Sequence, residues 1–221
     1  MASQERFMQW VEAHFRVGRG QVIAVDGKTV RGSRDTLRAQ QAIHLVRAFA
    51  HESGILLGQR KVDGKSNEIR AVPELLKTLF IKGCVVTVDA LNCQKDIAQP
   101  IVAGGADYGF ALTANHPPLH QQVVDWLEWA TERDFRPIDH TFHETVNTAQ
   151  GRVEIGQGYP LSAPHAFQAL ADYDGWAGLR WMAVVYRECH LPDRTQAETA
   201  YCLSSLPADA QRILDASPAP W

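Results

Sequence analysis

Two short stretches of the chain each run an apolar segment into an aspartate. Val22-Ile23-Ala24-Val25 leads into Asp26, which Gly27 and Lys28 follow. Residues 84–89, CVVTVD, repeat the pattern and end in Asp89. A carboxylate at the C-terminal end of a buried strand stands at the mouth of an open α/β sheet, where such folds place their sites. Two of them on neighbouring strands can converge on one cation, and oxygen donors with retained waters suit Mg²⁺ or Mn²⁺. Two metals about 4 Å apart can activate a water or hydroxyl and stabilise the leaving oxygen in phosphodiester displacement. The competing reading is local, because aspartate after a strand is also a common helix N-cap or turn residue.

The elements that would position this pair follow from periodicity. Phe7, Val11 and Phe15 recur every four residues and predict a helix over 3–16, ended by Gly18 and Gly20. Residues 21–26 read as a buried strand. The polar, basic stretch GKTVRGSRDTLRAQQA reads as a loop, with Lys28, Arg31, Arg34 and Arg38 in it. Residues 43–50 and 54–63 read as a strand pair joined by a short turn. Ile69, Val72, Leu75, Leu76, Leu79 and Phe80 then make a helical stripe, in which Pro73 belongs to a first turn or causes a kink. The strand ending at Asp89 precedes a helix over 94–102, a strand over 107–113 and the amphipathic helix PPLHQQVVDWLEWATE. That order predicts a mixed sheet with parallel members and helices packed on it. The second half is β-like and rich in turns, and closes with a short helix in ADAQRILDA.

Composition narrows the class without naming a function. The chain has 221 residues and a net charge of -3, so overall charge gives no support to nucleic-acid binding and leaves only a local basic patch. Cys84, Cys93, Cys189 and Cys202 form no C-x-x-C spacing, which points to reduced thiols in a cytoplasmic protein. No apolar run reaches the 18 or so residues a membrane helix needs. His140-x-x-His143 is closely spaced but lacks a second ligand pair, so these and His44, His51, His116, His120, His165 and His190 read as structural or surface groups. Trp126 and Trp129 read as core or interface packing.

Several blocks carry a resemblance: IAVDGKTVRGS, HLVRAFA, LGQRKVDGKSNEI, VPELL, GCVVTVDALNCQKDIA, GADYGFALTAN, GRVEI and CLSSLPADA. In this order and spacing, from about residue 7 to residue 216, the chain resembles DDE transposases of bacterial insertion sequences. The type is ISAs, which includes the H-repeat-associated proteins found beside Rhs elements. The resemblance implies an α/β fold: an RNase H-like mixed sheet flanked by helices, with a β-rich insertion in the second half. It implies a helix over 1–20 left from an associated domain, a catalytic core over 21–135, the insertion over 136–206 and a truncated helical region over 207–221. Asp26 and Asp89 then match the first and second acidic ligands. They would hold Mg²⁺ (or Mn²⁺) and activate first water, then the 3′-hydroxyl of the cut DNA strand. Lys28, Arg31, Arg34, Lys65 and Lys95 are the expected DNA contacts. Lys28 would meet a phosphate or hold a carboxylate, or else is a solvated loop lysine. Lys65, Asn67 and Glu68 match a family block, or simply cap a helix. Gln94 and Lys95 open a helix close to Asp89.

The chain also departs from the family. Relatives carry a third acidic residue, a glutamate, on a helix after the SSLPADA segment, whereas this chain reads LDASPAPW. Glu144 and Glu154 are poor replacements, because the GRVEI glutamate is not the usual metal ligand of the family. The segment TANHPP departs from the usual Lys-Gly-Asn-Gln, and His116 in it reads as a loop residue. The expectation is therefore a transposase fragment, defective in strand transfer, whose partners are insertion-sequence ends and either a second copy or an intact transposase, with no membrane. The alternative is a non-catalytic DNA-binding or regulatory remnant.

Overall fold

The computed structural model describes residues 6, 19–30, 33, 42–62, 68–114, 116–136, 138–149, 152–162, 175–207 and 209–216. Apart from Arg6, the predicted helix over 3–16 lies outside the described residues, as do Arg31, Arg34, Arg38, Lys65 and Asn67. The chain divides into two compact units, 1–107 and 108–221. The architecture is mixed α/β.

In the first unit, strand β1 (Val22–Val30) is followed by β2 (Ile43–Ala50) and β3 (Ile55–Val62), then helix α1 (Glu68–Leu76), strand β4 (Val85–Val88) and helix α2 (Lys95–Ala103). The sheet order is β3-β2-β1-β4. Strands β1, β2 and β3 pair antiparallel, as the predicted hairpin requires, and β1 pairs β4 in parallel. All four residues of β4 are buried, which is the apolar run a parallel strand needs when both faces are covered. Strand β2 alternates instead. His44, Val46, Ala48 and Ala50 are buried, while Ile43, Leu45, Arg47 and Phe49 are half-buried. Helix α1 covers the first set: it contacts β2 and β3, and its Glu74 reaches Arg60 of β3 at 2.5 Å.

Two expectations change here. Strand β1 does not stop at Asp26 but runs on to Val30, because β2 pairs with every residue from Ile23 to Val30. Lys28 is therefore an exposed strand residue and not a loop lysine. Helix α1 ends at Leu76, where the Thr78 hydroxyl donates to the Leu75 carbonyl at 2.6 Å and takes up a helix-end acceptor. The apolar stripe continues in sequence past that end, so Phe80 is left 63% exposed. Pro73 lies inside the helix and beyond its first turn, and so withholds one backbone hydrogen bond.

The second unit contains β5 (Asp107–Leu112, from Tyr108 onward), helix α3 (Pro117–Thr131), β6 (Asp139–His140), β7 (His143–Ala149), β8 (Arg152–Ser162), β9 (Trp181–His190), β10 (Thr195–Ser204) and helix α4 (Ala210–Ala216). The order is β5-β10-β9-β8, with β6 and β7 both pairing with the far side of β8, all antiparallel. Helix α4 packs on β8 and β7. Gly156 of β8 makes room for it: a Cβ there would meet the Thr145 hydroxyl at 2.9 Å and Leu214 of α4 at 3.4 Å. Tyr108 and Phe110 stack in the core at 4.5 Å between ring centroids. Ser204 donates to the Tyr108 carbonyl at 2.7 Å, and the Tyr108 amide donates to the Ser205 hydroxyl at 3.0 Å.

Trp126 is half-buried, as packing predicts, but Trp129 is 40% exposed and holds the Arg133 guanidinium over its ring at 4.6 Å. His116 immediately precedes α3. The cysteines are buried and not joined in disulfides, and burial pushes the Cys84 thiol above its ordinary pKa. No helix among the described residues is long and apolar enough to cross a membrane.

Candidate active site

The parallel register decides where the two aspartates go. Val22 stands beside Val85, Ile23 beside Val86, Ala24 beside Thr87 and Val25 beside Val88. Asp26 is the next residue of β1, and Asp89 directly follows the last residue of β4. Asp89 keeps extended backbone, with φ -67° and ψ 168°, so the alternation of the strands carries through to it. Val25 is buried on one face of β1, and alternation puts Asp26 on the other. Asp26 is exposed and Asp89 half-buried.

Asp89 also does what the competing reading foresaw. Its Oδ1 accepts from the Asn92 backbone amide at 3.1 Å and from Asn92 Nδ2 at 2.8 Å, capping a one-turn 3-10 helix over Ala90–Asn92. The capping uses one oxygen, and among the described residues no group bonds the other. Nor does any ion pair among the described residues neutralise Asp26 or Asp89. Two like charges on adjacent strands repel unless a counter-charge joins them. Two hard oxygen donors suit a divalent cation completed by water or phosphate oxygens. Among the described residues no group of three or more His, Cys, Asp or Glu side chains gathers into a fuller cage.

The face that carries Asp26 is basic beyond it. Lys28 follows two residues on. Arg47 pairs with Asp26 across β2, Leu45 pairs with Lys28, and Lys61 of β3 pairs with Leu45. Lys28 and Lys61 are exposed. The Arg47 guanidinium lies over the Phe49 ring at 5.0 Å, and its buried Nε finds no hydrogen-bond partner among the described residues. Lys95 opens α2 and is half-buried, and Gln94 before it makes no side-chain cap. Glu144 and Glu154 belong to β7 and β8 of the second unit, where Glu144 accepts from Gln157 at 2.7 Å.

The opposite face of β1 holds a buried polar cluster that periodicity alone did not identify. Glu68 is 1% exposed. Its Oε1 meets His44 Nε2, and His44 Nδ1 meets the Thr29 hydroxyl at 2.7 Å. Its Oε2 receives Asn92 Nδ2 at 3.5 Å. The carboxylate rests on Gly27, where any Cβ would collide with it. This explains why glycine follows the first aspartate. The sequence signal for Glu68 was its place on the buried stripe of α1 with Ala71, Val72 and Leu75, a charged residue in an apolar row. Asn92 carried no such signal.

Residues 5–200 match the family described as Transposase DDE domain. The chain is 34% identical over 229 residues to "Putative transposase YncI" of Escherichia coli O157:H7, covering all of this chain and 56% of that protein. It is 34% identical over 222 residues to "H repeat-associated putative transposase YhhI" of Escherichia coli (strain K12), covering 98% of this chain and 57% of that one. The chain thus spans a little over half the length of these curated relatives. A solved piggyBac transposase synaptic complex with hairpin DNA matches with a TM-score of 0.40 at 12% identity, covering 87% of this chain and 34% of that one. With a family match over residues 5–200, the chain belongs to the DDE-domain transposases.

Proposed function

We propose that the first unit is the RNase H-like part of a catalytic core that cuts and joins DNA ends, with Asp26 and Asp89 as its metal-holding pair. The observation that supports this reading is the β1–β4 register, in which Val25, just before Asp26, pairs with Val88, just before Asp89. The strand order β3-β2-β1-β4, three antiparallel strands followed by a parallel one, supports the fold assignment. Asp26 and Asp89 would hold Mg²⁺ or Mn²⁺, which when bound activates the attacking water or 3′-hydroxyl and stabilises the leaving oxygen.

The remaining roles belong to the chain itself. Lys28 and Lys61 are exposed cations on the face of Asp26, placed to meet phosphates and orient a strand across the pair. Arg47, paired with Asp26 across the β1–β2 ladder, adds a positive charge beside it. Lys95 stands at the start of a helix that follows Asp89, where phosphate binding is favoured. Arg31, Arg34 and Lys65 are proposed as further DNA contacts from sequence alone.

The test is nicking of supercoiled plasmid carrying candidate insertion-sequence ends. Nicking is expected in Mg²⁺ or Mn²⁺ and is expected to stop in EDTA. Binding without nicking in either cation would favour a DNA-binding remnant instead. DNA affinity is also expected to fall steeply with salt. Lys28→Ala and Lys61→Ala should each reduce the slope of log affinity against log salt by about 1. Unchanged slopes would remove this face from the DNA path.

A further inference from the structure

The buried cluster contains a group whose hydrogen bonding favours function over stability. Asn92 is 1% exposed, and its Nδ2 serves two carboxylates, Asp89 at 2.8 Å and Glu68 at 3.5 Å. Turning the amide over would set its oxygen against both carboxylates, so the nitrogen must face them. The consequence is that Asn92 Oδ1 is buried without a hydrogen-bond partner among the described residues. A buried orphan acceptor is costly and calls for a compensating purpose.

We propose that Glu68 and Asn92 are positioning residues for the metal pair, acting on Asp89 and not on the cation itself. Glu68 is fixed from three sides: by His44 of β2, by the bare backbone of Gly27 next to Asp26, and by its own helix. It holds the Asn92 amide, and that amide with the Asn92 backbone N–H occupies Asp89 Oδ1. One oxygen of Asp89 is thereby immobilised and the other is left for a cation. The same carboxylate touches the strand of the first aspartate and the turn of the second, so one buried group sets the relation between them. Outer partners of this kind fix ligand orientation and typically contribute 10–100-fold to metal affinity.

This inference rests on the metal-binding reading and is tested beside it. Mn²⁺ affinity of the full chain is measured by electron paramagnetic resonance at low temperature, with folding of each variant checked by circular dichroism. Asn92→Ala is expected to weaken Mn²⁺ about 10–100-fold in protein that remains folded. Glu68→Gln keeps an acceptor for Asn92 and its bulk over Gly27, and is expected to stay within about threefold of wild type, well short of the loss an outer partner causes. Wild-type affinity in Asn92→Ala, with Asp89→Asn impaired, would overturn the positioning role and leave the metal pair standing. Equal affinity in wild type and Asp89→Asn would overturn the metal reading itself. A change confined to melting temperature would make the cluster merely structural and also overturn the proposal.

Discussion

Asp89→Asn is expected to reduce cation-dependent nicking by about 100-fold or more, the several kcal/mol that a bound metal contributes to such chemistry, while leaving the fold intact. The substitution separates two roles that aspartate combines here. Asparagine retains a side-chain oxygen, so the acceptor for the Asn92 backbone amide and for Asn92 Nδ2 survives. The cap is kept and the negative charge is lost. Thermal melting close to wild type, together with lost nicking, is therefore the expected pair of results. Equal nicking by both proteins would reject metal chemistry at this residue. Asp26→Asn should behave likewise, and with less effect on stability, since Asp26 is exposed and makes no described hydrogen bond.

Glu68→Ala is expected to cost about 3–5 kcal/mol in the stability of the folded protein, the range for removing one partner of a buried pair. His44, 7% exposed, would lose the acceptor for Nε2, and Asn92 would lose one of its two carboxylates. A void would open over Gly27. The last point gives a sharper form of the test. Gly27→Ala alone drives a methyl group into the carboxylate and should cost about 1–3 kcal/mol as an overpacked site. In the double variant the methyl enters space that Glu68 has vacated. The two losses should then fall short of additive by about 1 kcal/mol or more, as contacting residues do. Urea midpoints at constant slope would measure this. Strict additivity would mean that Glu68 does not rest on Gly27.

The two apolar runs that end in aspartate were legible as buried strands, and the structure pairs them in parallel. The sequence did not reveal that β1 continues to Val30. Gly27 and Lys28 carry little strand preference, and what extends the strand is pairing with β2, a long-range contact. Phe80 was misplaced for the converse reason. Its spacing fits the helical stripe, but the backbone leaves the helix at Leu76, and periodicity carries no information about where hydrogen bonding stops. The Glu68 cluster draws on β1, β2, α1 and the turn after β4. A helical wheel shows only that a carboxylate lies among apolar neighbours, and its partners emerge once the sheet is assembled. Asn92 could not be read at all, since an asparagine three residues after a strand resembles any turn residue.

The most direct measurement is a titration of the metal-free chain with Mn²⁺, following the signal of the free ion, for wild type, Asp26→Asn, Asp89→Asn and the double variant. Wild type is expected to bind. Each single substitution should weaken binding by more than the 10–100-fold that an outer partner contributes, and the double variant should show no specific site. Binding by the double variant as tight as by wild type would contradict the account, because the cation would then have to be held by other groups.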